Sequence, residues 1–312
     1  MPHFGIVKQL HTCDEVSGRF HFAVIRIDPR LSRRFPWTER MHMNRFLLPL
    51  LFAGVLTLAT ASSLFAQTPS TSENAIPTLF IIGDSTVKNP LQGLEGWGDA
   101  IAPYFDTTRI RIENCALGGR SSRSYLTEGH WAKVLAQIKP GDFVLMQFGH
   151  NDGGPLDHGP ARASLKGVGD ETKTVTMQAT GKVEVVHTYG WYMRHYILDA
   201  KSKGAISIVV SPIPRNIWSK ENRVLTNERD YGGWAKEAAQ QTGAYFIDLN
   251  HIIAGYYDEM GPLMVKNFFP GDHTHTSPTG AALNADCVVQ GLRALPNCPL
   301  KAYLKPEIGP TR

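Results

Sequence analysis

From Ile76 onward, short runs rich in Val, Ile and Phe alternate with longer stretches of helical periodicity, and this alternation admits few architectures. The runs fall at 78–83, 109–115, 142–148, 205–211 and 244–249. Their near-continuous apolar character is that of strands buried on both faces, as in a parallel sheet covered by helices. Between them Tyr192, Met193, Tyr196, Ile197 and Ala200 recur at helical spacing, and Lys201, Lys203 and Gly204 supply a basic last turn and a stop. A helix is therefore expected over 190–203, with two more over 227–242 and 278–295. The last of these opens on Ser277-Pro278, an N-cap followed by proline in the first turn. The stretch 152–187 is rich in Gly, Pro, Asp and Lys and reads as a long loop after the third strand. Loops of that length are usually functional, and ligands of open α/β sheets collect beyond the carboxyl ends of the strands, so it is expected to border the binding cleft. The expected organisation is one domain over 74–298 and a tail over 299–312.

Charge narrows the function classes. The formal net charge of the 312 residues is +4, but residues 1–66 hold 8 Lys+Arg against 4 Asp+Glu, which leaves 24 of each in the remainder. A neutral body without a basic stripe does not suit nucleic acid. Residues 46–66 form an almost uncharged apolar run preceded by Met43-Asn44-Arg45 and containing Ala59-Thr60-Ala61, the pattern of a signal peptide over 43–66. Residues 1–42 precede that second plausible start and read as a mis-started extension. A secreted or periplasmic protein without stable membrane association is the expectation. Of the cysteines left after cleavage, Cys287 and Cys298 are close in sequence and are the expected disulfide pair, while Cys115 packs as a small hydrophobe.

Four blocks carry chemistry, each just beyond a strand-like run or near the C-terminus: Gly83-Asp84-Ser85-Thr86, Asn114-Cys115-Ala116-Leu117-Gly118-Gly119-Arg120, Gly149-His150-Asn151-Asp152, and Asp272-His273-Thr274-His275. A serine hydroxyl attacks a carbonyl only when a base takes its proton, and His275 is the candidate base. Asp272, three residues earlier, can accept from the other ring nitrogen and fix the tautomer. Donors for the oxyanion are the Ser85 N–H, a glycine N–H from Gly118-Gly119 and the Asn151 amide. No metal or organic cofactor is needed.

This constellation resembles the GDSL or SGNH hydrolase superfamily, whose Ser, Gly, Asn and His fall on Ser85, Gly119, Asn151 and His275. Within it the chain is similar to the rhamnogalacturonan acetylesterases through Gly-Asp-Ser-Thr-Val at 83–87, Gly-Trp-Gly-Asp at 96–99, Gly-Gly-Arg-Ser-Ser-Arg-Ser-Tyr at 118–125, Phe-Gly-His-Asn-Asp-Gly-Gly at 148–154 and Asp-His-Thr-His-Thr-Ser-Pro-Thr-Gly-Ala at 272–281. In that family the oxyanion glycine immediately precedes Arg-Ser, which selects Gly119 over Gly118. The resemblance implies a flavodoxin-like three-layer α/β/α sandwich on a five-stranded parallel sheet. It implies an esterase that takes acetyl groups from pectic rhamnogalacturonan, an acetylated polysaccharide, through an acetyl-serine. Rival readings keep the fold but change the ester, to acetylated xylan or a short-chain ester, or retain glycan binding without catalysis.

Bland readings stand beside the sharper ones. Asp84 is expected to stabilise its turn, and His150 to be structural. Asp272, His273 and His275 are also residue types that bind zinc, but no further His or Cys completes a set. Arg120 and Arg123 are candidates for gripping a uronic-acid carboxylate, although such forks equally tie loops together. Trp191 is expected in the core, whereas Trp218, in the loop after the fourth strand, is the candidate for stacking on a sugar.

Overall fold

Five strands line up in one parallel sheet in the order β2-β1-β3-β6-β7. They are β1 (Thr78–Gly83), β2 (Arg111–Asn114), β3 (Phe143–Gln147), β6 (Ile206–Val210) and β7 (Tyr245–Ile247); β4 and β5 form a separate hairpin. The computed structural model describes residues 76–306, so the expectations for 1–42 and 43–66 lie outside the described residues, as does the end of the chain from 307.

Strand alternation builds the layers. Leu79 and Ile81 of β1 point into one core, Phe80 and Ile82 into the other. Helices α5 (Leu249–Val265) and α6 (Pro278–Ala294) cover the first face. Helices α1 (Ser122–Thr127), α2 (His130–Leu135), α3 (Tyr189–Ser202) and α4 (Tyr231–Thr242) cover the second. Burying one such aliphatic side chain is worth about 1.5–3 kcal/mol, so a strand apolar on both faces stabilises both layers at once. This is the flavodoxin-like three-layer sandwich. With β2 and β3 on opposite sides of β1, the chain reverses its direction of winding there, and a crevice opens beyond the carboxyl ends of β1 and β3.

Several elements differ from the sequence reading. β2 is an edge strand paired to β1 alone, so Arg111 and Glu113 face solvent and the run is not buried on both faces. The stretch 152–187, expected as a loop, contains the antiparallel pair β4 (Thr172–Thr176) and β5 (Val183–His187). The described residues after 298 pack onto the domain rather than forming a free tail. Pro299–Tyr303 forms a 3₁₀ turn with Leu300 fully buried, and Leu304 bridges to Phe105. Cys287 and Cys298 are separate thiols, which corrects the expected disulfide. Both are buried in the α5–α6 core as small apolar groups, and burial pushes the Cys287 thiol up to about 12. Among the described residues, no helix is long and apolar enough to cross a membrane.

Candidate active site

Ser85 lies two residues past the end of β1, on a turn held by Asp84. The Asp84 carboxylate accepts from Thr86 N at 2.9 Å and Thr86 Oγ1 at 2.7 Å, while its carbonyl accepts from Val87 N and Lys88 N at 3.1 Å. Burial opposes ionisation of Asp84, but His150 and Thr86 outweigh it and hold its carboxyl below the usual range. His150 Nδ1 stands 3.5 Å from Asp84 Oδ2 and its Nε2 donates to the Ile213 carbonyl at 3.1 Å. Asp84 and His150 are thus structural.

The block at 96–99 supports the same turn from below. Trp97 N donates to Thr86 O at 3.1 Å and Gly98 N to Val87 O at 2.9 Å. Gly96 passes so close that a Cβ there would meet the Val87 carbonyl carbon at 2.2 Å. The Trp97 indole donates to Gln147 Oε1 at 3.0 Å, and Gln147 donates in turn to Thr86 Oγ1. This relay of Trp97, Gln147 and Thr86 fixes the turn against the end of β3.

His275 reaches Ser85 from the loop before α6. Its Nε2 lies 2.8 Å from Ser85 Oγ and its Nδ1 lies 2.7 Å from Asp272 Oδ2. The other Asp272 oxygen accepts from the Thr274 and His275 backbone N–H groups at 2.6 and 2.8 Å. Partial burial alone would raise the Asp272 carboxyl, but the His275 backbone and ring donors and Thr274 overcome it and hold it at about 2. An ionised carboxylate only accepts, so Nδ1 carries the proton and the Nε2 lone pair is turned to the serine hydroxyl. The loop is pinned by Thr276, whose carbonyl and hydroxyl both pair with Glu95 at 2.9 Å, and Ser277 caps α6.

Ser85, Gly118, Gly119, Asn151 and His275 line one cleft of about 510 Å³. Gly119 has φ +77°, a left-handed conformation that a side chain would strain, and it directs the turn that leads into α1. Asn151 Nδ2 donates to the Arg120 carbonyl at 3.0 Å, so its amide is held with one hydrogen engaged and the other free. Next to it, Asp152 is fully buried and accepts from Ser122 N and Oγ at the start of α1. Burial pushes the Asp152 carboxyl up to about 6, with Ser122 opposing.

The remaining expected residues stand elsewhere. Arg123 is buried and cannot meet a ligand: Nε pairs with Glu184 at 2.7 Å and NH1 donates to the Leu156 and Ala163 carbonyls, each at 2.8 Å. It is a loop tie, the blander of its readings. Arg120 pairs with Glu128 at 2.9 Å and donates to the Gly118 carbonyl, while its own carbonyl holds Asn151. Trp218 is half-buried, packs against the α5–α6 core with its indole on Asn216 Oδ1 at 2.7 Å, and is not among the residues lining this cleft. Trp191 is half-buried with its ring stacked on His187, at 3.7 Å between centroids. The long insertion does border the cleft, through a residue the sequence did not single out, Arg162. Lys88 and the rim residues Leu91 and Leu117 are also in its wall. No group of three or more His, Cys, Asp or Glu positioned for a metal occurs among the described residues. A second cavity of about 270 Å³ lies on the other side of the Gly149–His150 loop, walled by Pro212, Arg215 and Tyr231.

Residues 81–283, from the serine strand to the His275 loop and into α6, match the GDSL-like lipase/acylhydrolase family. The chain belongs to this family. It is accordingly a carboxylic ester hydrolase. A rhamnogalacturonan acetylesterase of Emericella nidulans is 35% identical over 215 residues, spanning 69% of this chain and 84% of that protein. The probable rhamnogalacturonan acetylesterase YesY of Bacillus subtilis is 30% identical over 227 residues, 70% of this chain and 93% of that one. The crystal structure of the YxiM protein of Bacillus subtilis superposes with a TM-score of 0.57 at 25% identity. That match covers 70% of this chain and 56% of the other, so the family fold here aligns with little more than half of that larger molecule.

Proposed function

We propose that the protein is an exported serine esterase that removes acetyl groups from pectic rhamnogalacturonan. The observation that carries this reading is the continuous line Asp272–His275–Ser85, with contacts of 2.7 and 2.8 Å, opening into a cleft that also holds Gly119 and Asn151. The acetylesterases among its relatives support the choice of an acetylated polysaccharide.

His275 Nε2 takes the Ser85 proton as Oγ attacks the acetyl carbonyl, and Asp272 stabilises the imidazolium that forms. The negative oxygen of the tetrahedral intermediate is met by the Ser85 and Gly119 N–H groups and the free Asn151 amide hydrogen. The imidazolium returns its proton to the departing sugar oxygen, leaving acetyl-serine. Water, deprotonated by the same imidazole, then attacks the acetyl group and releases acetate and free Ser85.

The test is acetate release from acetylated rhamnogalacturonan beside acetylated xylan and an aryl acetate, with Ser85→Ala as control. Preferential release from rhamnogalacturonan, abolished in the variant, is the expected result. Release only from the other esters would overturn the pectic assignment, and equal release by Ser85→Ala would overturn the serine mechanism. For export, the expected finding is a mature N-terminus just after Ala61 or Ala66 in the exported fraction, and an intact N-terminus inside the cell would contradict it.

A further inference from the structure

The charged side chains in the cleft wall other than His275 are both cations, Arg162 and Lys88, and the wall contains no Asp or Glu. Lys88 Nζ donates to the Asn114 carbonyl at 2.8 Å and Arg162 NH1 to the Gly119 carbonyl at 2.8 Å. Neither has an ion-pair partner among the described residues, whereas Arg120, Arg123, Arg194 and Arg223 each face a carboxylate. A guanidinium presents five N–H donors in a planar fork, and one neutral carbonyl leaves most of them unused. Two half-buried cations without a counter-charge give the cleft a positive potential that an anionic ligand would relieve.

Arg162 is also pre-set. Its carbonyl accepts from Ser121 Oγ at 2.5 Å, and the next carbonyl, Ala163 O, accepts from the buried Arg123 fork at 2.8 Å. The insertion is therefore fastened to α1 at the Arg162 carbonyl and at the carbonyl that follows it, and with NH1 held on Gly119 O the Arg162 side chain needs little ordering to meet a ligand. Its guanidinium sits on the carbonyl of Gly119, beside the oxyanion donors, so an anion bound to it belongs to the sugar that carries the ester or to its neighbour. Leu91 and Leu117, 65% and 37% exposed, give the rim an apolar surface for the C–H face of that sugar.

We propose that Arg162, assisted by Lys88, is the specificity-determining residue of this cleft: its fork binds a sugar carboxylate and selects acetylated uronosyl residues over neutral acetylated sugars. The inference rests on the reading of the cleft as a sugar-acetyl esterase. It moves uronate recognition from Arg120 and Arg123 to a residue of the insertion.

The experiment measures kcat/KM for wild type, Arg162→Gln and Arg162→Lys on three acetates: an acetylated methyl galacturonoside, its carboxyl-reduced counterpart, and an aryl acetate. Wild type is expected to favour the acid over the reduced sugar by about tenfold or more, as a charge-assisted fork would give. That preference falls towards unity in Arg162→Gln, returns in part in Arg162→Lys, and weakens with added salt. Equal rates on the two sugars by wild type, or an unchanged preference in Arg162→Gln, would overturn the proposal while leaving the esterase reading intact. Cleavage of the aryl acetate with no release from either sugar would overturn that reading and this proposal together.

Discussion

Asn151 holds its side chain against the Arg120 carbonyl at 3.0 Å before any substrate arrives, so in its proposed role as oxyanion donor it is positioned in advance and costs no reorganisation during reaction. Asn151→Ala is expected to lower kcat on an aryl acetate by about 10²–10³-fold with KM changed far less, because the lost interaction exists only once charge develops on the oxygen. A rise in KM at unchanged kcat would instead make Asn151 a ground-state binding residue. The residues at this scale divide cleanly in how readable they are. Ser85, Gly119, Asn151, Asp272 and His275 were legible because each sits in a short contiguous block just past a strand or before a helix cap, and each block carries its own turn chemistry. Arg162 was not. It is an isolated arginine in a Gly-Pro-Ala segment, and its place in the cleft wall is set by Ser121 and Arg123, some 40 residues away.

Arg123 shows the same coupling at the scale of elements. Its single guanidinium joins α1 to three parts of the insertion, through Leu156 O, Ala163 O and Glu184 of β5. Replacing it by methionine removes one partner of a buried pair and strands the others, a loss of about 3–5 kcal/mol. Urea unfolding should show that loss, and amide exchange should show the β4–β5 hairpin opening before the main sheet. A variant as stable as wild type would mean that the insertion is held by something other than this fork. The hairpin itself was readable in retrospect: Thr-Lys-Thr-Val-Thr and Val-Glu-Val-Val-His alternate about a turn at Gly181, which has φ +70°. The five sheet strands were legible because Val, Ile and Phe cluster in them, and the exception, β2, differs because an edge strand needs only one apolar face. The disulfide expectation failed for a tertiary reason, since Cys287 faces inward from α6 and both sulfurs fill the core separately.

Over the whole molecule, the site is built where the sheet order reverses, and one buried carboxylate, Asp152, and one exposed carboxylate, Asp272, join it to the fold. Asp152 and Asp272 pull the pH dependence of stability in opposite directions. Asp152, raised to about 6 from an unfolded value of 3.8, contributes stability that is complete below 3.8 and lost as pH rises through about 6. Asp272, lowered to about 2, contributes stability present above 3.8 and lost as pH falls through about 2. Asp152→Asn should therefore flatten the stability profile between these bounds by about 3 kcal/mol, the value of roughly two pKa units. Parallel profiles for variant and wild type would show that Asp152 does not titrate there. The most direct measurement of the central claim, an acyl-serine formed at Ser85 with His275 as base, is labelling by a serine-directed phosphonate followed by peptide mass analysis. One adduct per chain on the Ser85 peptide, formed in step with the loss of acetate release and much slower in His275→Ala, is the expected result. An inhibited enzyme with Ser85 unmodified, or full labelling in His275→Ala at the wild-type rate, would contradict it.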